Sequence, residues 1–205
     1  MGQPDYDRAR TYALTRLASD LDPALCYHSL AHTLDDVTLA MERLAPMEGV
    51  ADEALLLVRT AACFHDLGFL ERRDGHEAVG VRLAAEVLPG YGYSPAQIAQ
   101  IGGMIMATRL PQAPRGLLEQ LLADSDLDLL GREDFIVLNA RLRAELAHFQ
   151  PDPGDAAWLR GQIAFLRGHR YWTAAARRLR DAGKRQNITA LEQLLARTSH
   201  REGRR

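Results

Sequence analysis

The chain has 205 residues, a formal net charge of -2 and 25% charged side chains, which is enough for one large domain and ordinary for a globular protein. No uncharged apolar stretch approaches the ~20 residues that span a bilayer, and the charged first twenty residues lack an apolar signal core, so a cytoplasmic protein with no membrane partner is expected. The overall balance conceals an asymmetry, because residues 1–155 carry 13 basic and 24 acidic side chains and residues 156–205 carry 12 and 3.

Alternating strand patterns are scarce and apolar residues recur every three or four positions, as in Tyr12, Leu14, Leu17 and Leu21, so the sequence predicts an all-α bundle. Asp22 followed by Pro23 reads as a helix N-cap with proline at the first helical position. In CYHSLAHTLDDV, His28 and His32 are spaced i, i+4 and share a helical face. APMEGV at 45–50 breaks the pattern before ALLLVRTAACFHD. That run is apolar nearly all round and predicts a central buried helix, which Gly68 helps to end. Two cysteines, Cys26 and Cys63, lie in apolar contexts, and no disulfide framework is expected.

LPGYGY at 88–93 reads as a turn, and Ser94, Pro95 and Gln97 as a capping box opening the next helix. RLPQAPRG at 109–116 is a proline-punctuated loop before the helix that carries LLADSDLDLLG. QPDPGD at 150–155 is the linker candidate. It divides a body, residues 1–150, from a basic C-terminal helical appendage, residues 151–205, packed on it. The appendage is predicted to hold two helices, near 155–182 and near 187–197.

Polar residues inside apolar helices need a reason. Burying an ionised carboxylate costs several kcal/mol unless something compensates it, and a divalent cation compensates carboxylates and imidazoles together. On a helix, His65 and Asp66 point about 100° apart, so both reach one ion only at the helix flank, with other helices supplying the rest. His28 and His32 are available, as are Asp124, Asp126 and Asp128, three carboxylates that would otherwise repel one another. A mixed nitrogen and oxygen site of this kind suits manganese, iron, magnesium or zinc.

The order His32, then His65 and Asp66, then Asp126 resembles the HD-domain superfamily of metal-dependent phosphohydrolases over roughly residues 25 to 135. YHSLAHT, FHDLGF, GHE and DSDLDLLG carry the likeness. The YHxxxHTxxDV arrangement is also similar to a motif of cyclic nucleotide phosphodiesterases, a branch of the same superfamily. The resemblance implies an HD-domain helical bundle and hydrolysis of a phosphomonoester or phosphodiester, in a nucleotide or small metabolite, by metal-activated water. It implies His32, His65, Asp66 and Asp126 as ligands of one divalent ion per chain. Asp66 also orients the water, and His28 is the general acid.

Further expectations attach to neighbouring residues. HEAVG lacks the second histidine of a zinc-protease HExxH motif, which leaves His76 and Glu77, with Asp124, for a second metal or for substrate. A later histidine used by two-metal relatives is missing from MIMATRLP. Arg72, Arg73 and Arg109 are candidates for substrate phosphate. Alternative readings are an HD-type di-iron oxygenase and a nonhydrolytic nucleotide-binding regulatory domain. In the appendage, Trp158, Phe165, Tyr171 and Trp172 sit at helical spacing among basic residues. Such aromatics pack a helix onto a core more often than they stack on bases, so nucleic acid is not the expected partner. His169 and Arg170 are placed to shape the substrate end of the pocket, and a homo-oligomer stays open.

Overall fold

A computed structural model describes residues 3–202, with side chains described through residue 198. Among the described residues all regular structure is helical, in agreement with the all-α reading. The chain divides into two compact units, one up to Leu127 and one from Asp128 onward.

In the first unit, α1 (Tyr6–Asp20) opens on Asp5, whose side chain accepts from Arg8 N at 3.1 Å, and buries a stripe of Ala9, Ala13 and Leu17. A π-wound segment, His32–Thr38, runs into α2 (Leu39–Met47). Thr38 Oγ1 donates to Thr33 O at 2.7 Å, a five-residue span matching the wider turn. In α3 (Asp52–Phe64), every residue from Leu57 to Phe64 except Arg59 is buried. It packs against α1, α5 (Pro95–Ala107) and α6 (Leu117–Asp126) and forms the centre of the unit. Between them, α4 (His76–Val87) lies against α5. The Ser94 capping box closes as predicted, with Gln97 N donating to Ser94 Oγ at 3.3 Å and Ser94 N donating to Gln97 Oε1 at 2.8 Å.

Three local expectations are corrected. Asp22 accepts from Ala24 N at 2.9 Å and makes a tight turn, because a short polar side chain can cap a turn as readily as a helix. His28 falls in a bent stretch before the helical residues that begin at Leu30, so it does not share a helix with His32. Gly68 does not end α3, which stops at Phe64 and is followed by a 3-10 turn, Leu67–Leu70. What Gly68 provides is room, since a Cβ there would stand 1.9 Å from His76 O.

The second unit begins with a 3-10 turn, Asp128–Gly131, and continues as α7 (Phe135–Phe149), α8 (Asp155–Gly168) and α9 (Ala174–Glu202). The 150–154 stretch is irregular, as its prolines and glycine suggest, yet the contacts divide the chain earlier, at Leu127 and Asp128. The turn belongs with α9 through its polar groups. Arg180 donates to Asp128 through Nε and Nη2 at 2.6 and 2.8 Å, and Asn187 Nδ2 donates to Leu130 O and Arg132 O at 2.9 and 2.8 Å. The helix break expected after residue 182 falls instead at 169–173. Gly183 lies inside α9 because a Cβ there would meet Gly131 O at 2.1 Å. Among the described residues no helix is long and apolar enough to cross a membrane.

Candidate metal centre

The local backbone explains how two neighbours in sequence serve one site. His65 is the residue that closes α3, and Asp66 follows in the bridge region at φ -98° and ψ 3°. The pair therefore sits at a helix end and is freed from the 100° divergence of helical neighbours. Asp126 likewise ends α6. His32 opens the π-wound segment and is buried.

These elements bring four side chains to one place. His65 Nε2 lies 3.2 Å from Asp66 Oδ2 and 3.6 Å from Asp126 Oδ1, and His32 Nε2 lies 3.3 Å from Asp126 Oδ1 and 3.8 Å from Asp66 Oδ2. Two donors on one ion at about 2.0–2.2 Å in a tetrahedron stand roughly 3.3–3.6 Å apart. These four histidine–aspartate spacings lie close to that range, and His32, His65 and Asp66 offer ligand atoms that all lie within 4.8 Å of one another, with Asp126 approaching the two histidines. His65 Nε2 and Asp66 Oδ2 are both buried and neither has a hydrogen-bond partner. Unpaired buried atoms of this kind are costly, and a cation placed among them would engage both. The donor set thus fits a divalent ion.

The remaining ring nitrogens fix orientation. His65 Nδ1 donates to Ala62 O at 2.8 Å and His76 Nδ1 to Arg73 O at 3.0 Å, which leaves each Nε2 free to present a lone pair. For His32 the corresponding partner is Asp36, whose Oδ2 approaches Nδ1 at 3.4 Å off the line of a good hydrogen bond. Asp36 is the aspartate of the YHxxxHTxxDV arrangement, to which the sequence reading gave no role of its own. Its spacing of four from His32 was the available signal.

His76 also reaches the cluster. Its Nε2 stands 3.5 Å from Asp66 Oδ1 and 3.9 Å from Glu77 Oε1, so Asp66 faces His65 with one oxygen and His76 with the other. The His28 ring centroid lies 6.0 Å from that of His32 and 6.5 Å from that of His76. Asp124 is buried within α6, and Asp128 is turned to Arg180. Arg72 and Arg109 are exposed, and among the described residues no hydrogen bond or ion pair joins either to the cluster. His169 and Arg170 lie in the second unit, where Lys184 Nζ is 3.3 Å from His169 Nδ1 and Arg170 stacks on Trp172 at 4.5 Å.

Protonation follows from the same contacts. Burial opposes charge on His32, but Asp126 and Asp36 outweigh it and hold the imidazole up at about 9. Burial opposes charge on His65 as well, and Asp66 and Asp126 raise it well above the ordinary value. Burial would raise Asp126, yet His32 and His65 bring it down to about 2. Asp66 is held well below its usual range against burial, chiefly by His65.

The fold is similar to the crystal structure of a predicted HD superfamily hydrolase from an uncultured Thermotogales bacterium, with a TM-score of 0.62 over 95% of this chain and 93% of that one, at 21% sequence identity. The chain therefore has an HD-domain fold. No protein-family model matches it, and no curated protein does.

Proposed function

We propose that the chain is a metal-dependent hydrolase of phosphoric esters. The observation that carries this is the pair of buried atoms, His65 Nε2 and Asp66 Oδ2, left without hydrogen bonds at the meeting point of His32 and Asp126. These four residues would hold a divalent ion. When bound, such an ion polarises a phosphoryl oxygen and lowers the pKa of water toward about 7.

The chain's own groups do the rest. Asp66 orients the attacking water, which gives up a proton to solvent as its oxygen forms the new bond to phosphorus. His28 gives its ring proton to the departing oxygen as the old bond breaks, which an imidazole can do near neutral pH. The substrate class is a small phosphorylated metabolite, and a nucleotide suits the reading. Arg72 and Arg109 are exposed and available to approach phosphate oxygens.

A second reading, with two ions, is favoured by the two-sided placement of Asp66 between His65 and His76. One ion remains the primary proposal, because His32, His65 and Asp66 offer ligand atoms within 4.8 Å of one another without His76, and Asp126 stands beside both histidines. Metal analysis of the purified protein, with phosphate release measured on a panel of phosphoesters beside Asp66→Ala, tests both. Bound divalent metal and turnover lost in the variant support the hydrolase. A metal-free wild type, or turnover unchanged in Asp66→Ala, sinks it. Two irons with oxygen-dependent turnover would assign an oxygenase instead.

A further inference from the structure

His28 does not sit on the helix that carries His32; it lies in a bent stretch where no helical ladder fixes the direction of its side chain. Its imidazole is set among aromatic rings. Tyr27 meets it edge-on with centroids 4.8 Å apart, and Phe69 packs nearly parallel to it at 4.5 Å and 27°. The same Phe69 ring packs against His76 at 3.9 Å and 23°. Phe69 is 8% exposed and belongs to the 3-10 turn that directly follows Asp66. One buried carbon ring, three residues past a proposed metal ligand, therefore touches both imidazoles that flank the cluster without belonging to its fourfold set.

The chemistry of that ring matters. A phenyl face can neither ligate a cation nor take a proton, so it competes with neither role of the imidazoles it supports. Its flat, electron-rich face accepts an imidazole in the neutral or the charged form. An aliphatic side chain of similar size fills the same volume but imposes no ring orientation. We propose that Phe69 is the positioning residue for His28 and His76, holding the His28 ring at the edge of the cluster as a proton donor and keeping it from turning inward as a further ligand. This rests on the proton-donor role given to His28 above.

The test compares wild type with Phe69→Leu and Phe69→Tyr in the full chain. The nuclear Overhauser contact between the Tyr27 and His28 rings reads orientation directly, without turnover and without any ring current from position 69 being required. Phe69→Leu is expected to lose that contact, keep its bound metal, and lower kcat by about a hundredfold, the low end of what a positioned proton donor contributes, with KM little changed. Phe69→Tyr restores the contact and the rate. A Tyr27 to His28 contact that survives in Phe69→Leu overturns the proposal, as does a Phe69→Tyr variant that behaves like Phe69→Leu. If the wild type turns over no phosphoester, the hydrolase reading falls, and the ring contact still decides whether Phe69 orients His28.

Discussion

His65 Nε2 and Asp66 Oδ2 stand 3.2 Å apart at the end of α3, both buried and neither in a hydrogen bond. In the metal-free protein the surrounding carboxylates keep protons on the imidazoles, with His32 at about 9. A cation and those protons compete for the same electron pairs. Titrating divalent metal into the chelated protein at pH 7 should release at least about one proton per chain, seen as a heat that scales with the ionisation enthalpy of the buffer. A heat that is the same in every buffer would contradict the competition.

The same contacts set the pH dependence of the metal-free fold. His32 is raised from 6.5 to about 9, so its contribution is full below 6.5 and lost as pH rises through about 9. Asp126 is lowered from 3.8 to about 2, so its contribution is full above 3.8 and lost as pH falls through about 2. The Tm of the apo protein should therefore be highest from this pair between roughly pH 4 and 6.5 and decline toward pH 9. His32→Gln should flatten the alkaline decline, which thermal melts across that range will show.

Asp36 approaches the far side of His32, at Nδ1, and supports the ring that presents Nε2 to the cluster. Such outer partners typically contribute about 10–100-fold in metal affinity. Asp36→Asn should weaken metal binding by about that factor with a small change in Tm. Competition against a chelator of known affinity measures it directly, and wild-type affinity in the variant would remove Asp36 from the account.

In the second unit, Arg180 grips Asp128 through two parallel bonds of 2.6 and 2.8 Å, with the Asp128 side chain 2% exposed. Removing one partner of a buried pair leaves a charge without its counterion and costs about 3–5 kcal/mol, with the lower end fitting the partly exposed arginine. Arg180→Ala should lower stability by about 3 kcal/mol in urea denaturation. Arg180→Ala with Asp128→Asn should recover part of that loss, because the stranded charge is gone.

The sequence made some of this legible and hid the rest for physical reasons. The helical class and the Ser94 capping box were readable because periodicity and capping are local. His65 and Asp66 stood out as polar residues in apolar company, while Asp126 was set apart from its neighbouring aspartates only by the family resemblance. The fold brings the ligand atoms of His32, His65 and Asp66 within 4.8 Å of one another and Asp126 beside the two histidines. His28 misled because an i, i+4 spacing implies a shared face only where both residues are helical. The break expected after residue 182 is absent because Gly183 lies inside α9, where it answers the carbonyl of Gly131, a contact too distant in sequence to be read locally. Asp128 could not be told from Asp126 by composition, since its partner Arg180 is 52 residues away.

Gly68 leaves no room for a side chain, because the carbonyl of His76 occupies the space where one would begin. The turn after α3 is therefore closed to gradual change at that position, while the neighbouring Phe69 is bounded by side-chain rings and admits other shapes. A saturation library over FHDLGF should return almost nothing but glycine at 68 and a graded series at 69. Side by side, one position is closed by backbone and the next is set by the rings it touches, so changes at 69 are graded by how well they hold His28 and His76.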